Sequence, residues 1–227
     1  MTTFVLIHGA FRGGWSWRRV QPPLAASGHE VYAPSLLGCG ELAAQAGQVS
    51  GLDVWADQVV GLLEHEDLTD VVLVGHSQGG VITAAAAARD PKRIAQLAYL
   101  DAAVPRPGER AVDVAAAVPE QLPPRETLIP ARPLEAHGDL DAQTAAWASA
   151  RLTATPFAPS LDPMPAATSA IPARYAFCSA TPPGYPSLTT RSRMDAEGAA
   201  YDVLEAGHDA PLTAPDAVAA WLMKETA

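Results

Sequence analysis

Cysteine is scarce in this chain of 227 residues: Cys39 and Cys178 are the only two, too few for a disulfide framework or a thiolate metal cluster. Although 48% of the residues are hydrophobic, no apolar run approaches the ~20 residues needed to cross a bilayer. Basic residues are outnumbered, 15 Lys and Arg against 25 Asp and Glu, for a formal net charge of −10. Nucleic acid and anionic membrane both demand basic patches, so neither is an expected partner. No basic segment with a cleavage site precedes the strand-like Phe4-Val5-Leu6-Ile7, so no secretory leader is read and a reducing cytoplasm is expected. The glycines form no dinucleotide or phosphate-loop pattern, no metal-ligand cluster stands out, and no cofactor is expected. There is no internal repeat, and nothing in the sequence marks an oligomeric state.

What remains is the pattern of one α/β domain with a substantial core. Short apolar runs at 4–7, 30–33, 71–74, 95–100, 174–178 and 200–204 read as strands. Segments 17–26, 54–66, 79–89 and 215–224 read as helices, with Pro215 at a helix start and Thr213 as its cap. Such alternation implies right-handed crossovers, a mostly parallel sheet with helices on both faces, and a site outside the carboxyl ends of the strands. Residues 105–172 break the rhythm, with twelve of the 21 prolines, no clear strand, and one firmly helical stretch at 141–152. Apolar and aromatic residues such as Leu128, Ile129, Leu134, Trp147, Leu152 and Phe157 persist there, and strands resume beyond it. A short inserted cap, rather than a linker, is therefore expected between core segments 1–104 and 173–227.

The most informative stretch is Gly75-His76-Ser77-Gln78-Gly79. On its own, G-x-S-x-G would arise by chance in roughly one chain of this length in twenty. Here a β-branched run, Val71-Val72-Leu73-Val74, precedes it and the helix-forming Ala84 to Ala88 follow it. Strand, G-x-S-x-G, helix is the setting of a nucleophile elbow, in which a strained turn lifts the serine Oγ clear of the sheet. Serine needs a base. Among six histidines, His208 follows the run at 200–204 and the turn at Gly207, and lies after the serine in chain order. His8 and His76 flank glycines beside the site and read as backbone-bonding groups; His29, His65 and His137 carry no such context.

Phe4-Val5-Leu6-Ile7-His8-Gly9-Ala10, Gly13-Gly14-Trp15-Ser16-Trp17, Gly28-His29-Glu30-Val31, Gly75-His76-Ser77-Gln78-Gly79-Gly80 and Gly207-His208 together resemble the α/β-hydrolase superfamily. The N-terminal third is most similar to the branch of plant methylesterases and hydroxynitrile lyases. The resemblance covers about the first hundred residues and the last fifty, and stops short of the cap. It implies the α/β-hydrolase fold, with the backbone N–H groups of Ala10 and Gln78 as the oxyanion hole. Converging loop and post-nucleophile N–H groups suit one developing negative charge. Resemblance to the lyases would call for threonine at position 9 and lysine after the catalytic histidine. Gly9 and Asp209 stand there, so ester-type hydrolysis is implied rather than cyanohydrin cleavage.

The acid that orients His208 is the open position. The usual superfamily place, after the strand at 174–178, holds Ser179 to Ser187 with no carboxylate before Asp195. The strand at 95–100 runs directly into Asp101, where some members of the superfamily carry their acid. Asp101 is the expected orienter, Asp195 or a weaker polar group the alternative, and Asp209 is too close in sequence to serve its neighbour's ring. Phe11, Arg12 and Trp15, on the loop after the first strand, are the expected substrate contacts. Arg12 stands where the plant branch carries histidine and could meet a substrate carboxylate or phosphate, or lie exposed; Trp17 reads as core. The expected reaction is hydrolysis of a small, mostly apolar ester, lactone or related carbonyl compound. A lyase or cyclase step on a secondary metabolite and a hydrolase-fold receptor with little turnover are the alternatives.

Overall fold

A computed structural model describes residues 1–115, 120–167 and 170–224; the expected cap therefore falls partly outside the described residues. In chain order the elements are β1 (Thr3–Ile7), α1 (Gln21–Ala26), β2 (Glu30–Tyr32), α2 (Leu52–His65), β3 (Val71–His76), α3 (Gly79–Arg89) and β4 (Ile94–Leu100). Then come β5 (Leu128–Ile129), α4 (Ala142–Ser149), β6 (Thr155–Pro156), β7 (Ala173–Cys178), α5 (Pro186–Glu197), β8 (Asp202–Leu204), α6 (Ala210–Thr213) and α7 (Pro215–Met223). Six strands form one sheet in the order β2-β1-β3-β4-β7-β8, and every pairing in it is parallel.

Each central strand is apolar on both faces, and its residues alternate between two cores, as a pleat with period two requires. Val5, Ile7, Val71, Leu73, Leu97 and Tyr99 pack with Trp55 and Val59 of α2 and Ile82 of α3. Phe4, Leu6, Val72, Val74, Ala98 and Leu100 pack on the other face with Trp17, Leu24 of α1 and Trp221 of α7. Trp17 is fully buried, as its sequence context suggested. Arg174 donates to the carbonyls of Trp221, Lys224 and Leu222, answering the unpaired C-terminal carbonyls of α7.

Several local readings are corrected. The segment 17–26 is split: a 3-10 turn spans Gly14–Trp17 and α1 starts only at Gln21. Thr213 does not cap α7; Ala214 holds that position, and Thr213 Oγ1 donates instead to Asp139 Oδ2 at 2.6 Å. Helix α5 and a 3-10 stretch at Gly40–Gln48 are additional to the sequence pattern. Between β4 and β7 none of the described residues joins the main sheet; β5 and β6 pair with each other, antiparallel. Helix α4 is capped by Asp141, which accepts from Thr144 N–H at 2.7 Å. Its Trp147 lies under the guanidinium of Arg151 (4.3 Å to the ring centroid) and against the edge of Trp15 (5.4 Å), so α4 is held to the loop after β1.

Candidate active site

Ser77 sits where β3 ends and α3 begins, with φ of +55°. That left-handed geometry is costly for a residue with a Cβ, and it persists because the surroundings over-determine it. Ser77 N–H donates to Leu100 O (3.2 Å), and Ser77 O accepts from Ala103 N–H (3.0 Å). Gly79 permits the close crossing of helix and strand, since a Cβ there would stand 2.5 Å from Ile7 O.

His208 and Asp101 meet Ser77 at the carboxyl edge of the sheet. His208 Nε2 is 3.0 Å from Ser77 Oγ, and His208 Nδ1 is 2.5 Å from Asp101 Oδ2. With Nδ1–H donating to the carboxylate, the Nε2 lone pair is left to face the serine hydroxyl. Asp101 is fully buried at φ of +42°, directly after β4. Burial opposes its charge, yet the hydrogen bond and charge of His208, with a 2.6 Å bond from Thr181 Oγ1–H, hold its carboxyl below the usual range. Asp195 is exposed on α5, where it accepts from Tyr201 Oη–H at 2.5 Å, and is not brought to His208. Two rings flank the imidazole: Tyr185 at 4.1 Å and His76 at 4.8 Å between centroids. His76 Nε2–H donates to His208 O at 2.8 Å, tying the elbow to the histidine loop. Burial, then the charges of His208 and Arg12, lower its pKa to about 3, so His76 is neutral at working pH.

The loop after β1 is pinned from both sides. Leu36 N–H donates to His8 Nε2 (3.0 Å), which leaves Nδ1–H to donate to Gly9 O (2.8 Å). Because the Gly9–Ala10 peptide is trans, the Ala10 N–H points away from His8. Burial lowers the pKa of His8 to about 4, so the ring stays neutral, as these two bonds require. Phe11, at φ of +66°, is held by its N–H to Thr155 Oγ1 at 2.6 Å. Arg12 is not the exposed arginine that one of the two expectations allowed: it is 7% exposed, and its guanidinium pairs with Asp209. Burial opposes the Asp209 charge, and Arg12 overcomes it, keeping that carboxyl below its usual range.

Ser77, Gln78 and His208 open into a cleft of about 870 Å³. Its walls are mainly apolar, with Phe11, Val81, Val112, Ile129, Leu134 and Leu152 prominent, and Arg132, Glu135 and His137 are also on its lining. Arg12 lines the cleft as well. Trp15 is half-buried and packs edge-on against Trp147, beside the cleft and not on its lining. Among the described residues no three His, Cys, Asp or Glu side chains gather to ligate a metal ion.

Three residues of the site escaped the sequence reading. Thr181 and Tyr185 lie in the 179–187 stretch searched only for an acid, where a hydroxyl and an aromatic ring carry no spacing signal. Asp139, from the segment before α4, accepts from Gly207 N–H at 2.8 Å and so braces the histidine loop. Its partner is 68 residues away in sequence, beyond any local pattern.

The family model described as "Alpha/beta hydrolase family" matches residues 4–221. A carbendazim hydrolyzing esterase of Nocardioides sp. (strain SG-4G) is 41% identical over 124 residues, 55% of this chain and 50% of that protein. Methylesterase 8 of Arabidopsis thaliana is 35% identical over 103 residues, 45% of this chain and 38% of that protein. The chain thus matches about half or less of the length of these curated relatives. An extracellular α/β-hydrolase from a Paenibacillus species superposes with a TM-score of 0.77 over 98% of both chains at 22% identity, a likeness of fold. With a family match across nearly the whole length and the same architecture throughout, this chain belongs to the α/β hydrolase family.

Proposed function

We propose that the protein is a serine hydrolase that cleaves a small, mostly apolar ester, lactone or related carbonyl compound through an acyl-enzyme. The observation that carries this reading is the continuous contact Ser77 Oγ, His208 Nε2, His208 Nδ1, Asp101 Oδ2, at 3.0 and 2.5 Å, on an apolar cleft. Ser77 Oγ attacks the substrate carbonyl carbon as its proton passes to His208 Nε2. The imidazolium so formed is paired with Asp101. The carbonyl oxygen, now an anion, is received by the N–H groups of Ala10 and Gln78; such a donor is worth ~10²–10³ in rate. Collapse breaks the bond to the leaving oxygen, which takes the proton from His208. Water then gives a proton to His208 and attacks the acyl carbonyl, and Ser77 Oγ leaves with that proton.

The esterase names of the two relatives support ester-type hydrolysis, and the apolar lining supports an uncharged acyl or alcohol portion. The segment between β4 and β7 supplies Val112, Ile129, Leu134 and Leu152 to the cleft, which supports a cap that selects substrate. Among the described residues no helix is long and apolar enough to cross a membrane. Two free, buried thiols support a reducing, cytoplasmic setting. The test is turnover of a panel of esters, lactones, carbamates and thioesters by the native protein and by Ser77→Ala. The native protein should hydrolyse at least one class, and the variant should lose about three orders of magnitude or more. Near-native turnover by Ser77→Ala would end the serine-hydrolase reading.

A further inference from the structure

Arg12, which stands where the plant branch carries histidine, and Asp209, which stands where the lyases carry lysine, meet in the structure. Arg12 Nη2 donates to Asp209 Oδ1, and each side chain is only 8% exposed. One belongs to the loop after β1, the other follows His208 on the loop after β8. Strands β3, β4 and β7 lie between those two strands, so the loops start four strand spacings, ~19 Å, apart. Parallel pairing fixes each strand against its neighbour, but twist accumulates across the sheet. The relative placement of loops so far apart needs a contact of its own.

The Arg12 guanidinium makes that contact with both of its ends. Nη2 holds Asp209, and Nη1 donates to Ala10 O at 3.2 Å. His76 Nε2–H holds His208 O as well, so the histidine loop is fastened to the elbow and to the Ala10 loop at once. Resting on the reading of Ser77 as nucleophile, we infer that Arg12 and Asp209 are a pair of positioning residues. They set the Ala10 N–H against His208, so that oxyanion donor and proton acceptor converge on one tetrahedral centre. Neither side chain needs to touch the reacting atoms. The arginine charge is spent on Asp209 and not on a substrate anion, which agrees with the apolar character of the cleft.

The test is the rate of Ser77 phosphonylation by an alkyl fluorophosphonate, resolved into a binding constant KI and a maximal rate kinact, with the folded fraction of each variant measured by circular dichroism. Arg12→Met and Asp209→Asn should each lower kinact by about tenfold or more, with KI within about twofold. Arg12→Lys keeps the ion pair and should recover a large part of the rate. Removing the pair together, in Arg12→Met/Asp209→Leu, avoids an unpaired buried charge and should react no more slowly than the worse single variant. A higher KI with native kinact would make Arg12 a ligand contact and overturn the tie. So would losses that multiply in the double variant, or native kinact in every folded variant. A native protein that the probe does not label overturns the serine-hydrolase reading, and the tie with it, which separates the two failures.

Discussion

Three of the site's residues, Phe11, Ser77 and Asp101, sit at positive φ without being glycine. Ser77 and Asp101 directly follow β3 and β4, and Phe11 lies on the loop after β1; there the chain must turn to aim groups over the sheet edge, and the strain is held by neighbouring hydrogen bonds. Asp101→Asn keeps shape but offers an amide to His208 Nδ1–H; kcat should fall by ~10²–10⁴ with the fold intact, while Asp195→Asn should stay near native. Measured kcat values in the reverse order would shift the acid to α5. Histidine burial also sets a pH dependence. His8 and His76 stay neutral in the fold down to pKa values of about 4 and 3. Their unfolded pKa is ~6.5, so between there and about pH 4 the unfolded chain binds more protons and stability falls as pH falls. At pH 5 the loss is about 2 kcal/mol per histidine, read as a lower urea midpoint than at pH 7.5. Equal midpoints would contradict their buried, neutral state. Ser77 and His208 were legible because motif, spacing and chain order are local facts. Arg12 was not, because the partner that explains it is 197 residues away.

Among the elements, the central strands β1, β3 and β4 were the most legible, since each is a largely apolar run buried on two faces. Helix α5 was not, and its composition says why. It buries Ser187, Thr190 and Met194, a face with the correct spacing but mostly small and polar, so it has no apolar stripe to read. Its anchor is instead Thr190 Oγ1, which accepts from Val104 N–H at 3.0 Å. The brace on the histidine loop is likewise polar: Asp139 Oδ2 accepts from Gly207 N–H and from Thr213 Oγ1–H. A Cβ at Gly207 would stand 2.5 Å from Asp139 Oδ1. Gly207→Ala should therefore displace the carboxylate and cost about 1–2 kcal/mol of stability. In an Asp139→Ala background the same substitution should cost little, since the brace is already gone. Equal costs in the two backgrounds, read by chemical denaturation, would show that Asp139 is not what glycine makes room for.

Across the whole molecule, function follows from sheet order. Crossovers run one way from β1 to β2 and the other from β3 onward, and the crevice at that reversal, beyond the carboxyl ends, is where such sheets bind ligands. The loop after β1, the elbow after β3, Asp101 after β4, Thr181 after β7 and His208 after β8 all open there. Alternating periodicity foretold that architecture, whereas the cleft wall contributed by the segment between β4 and β7 follows no period and could not be drawn from the sequence. On the proposed function, this assembly makes Ser77 the nucleophile and no other residue. Intact-mass and peptide mapping after treatment with a fluorophosphonate test it directly. One adduct per chain is expected, on Ser77, and none on Ser77→Ala; an unlabelled native protein, or an adduct retained by Ser77→Ala, would contradict a nucleophilic Ser77.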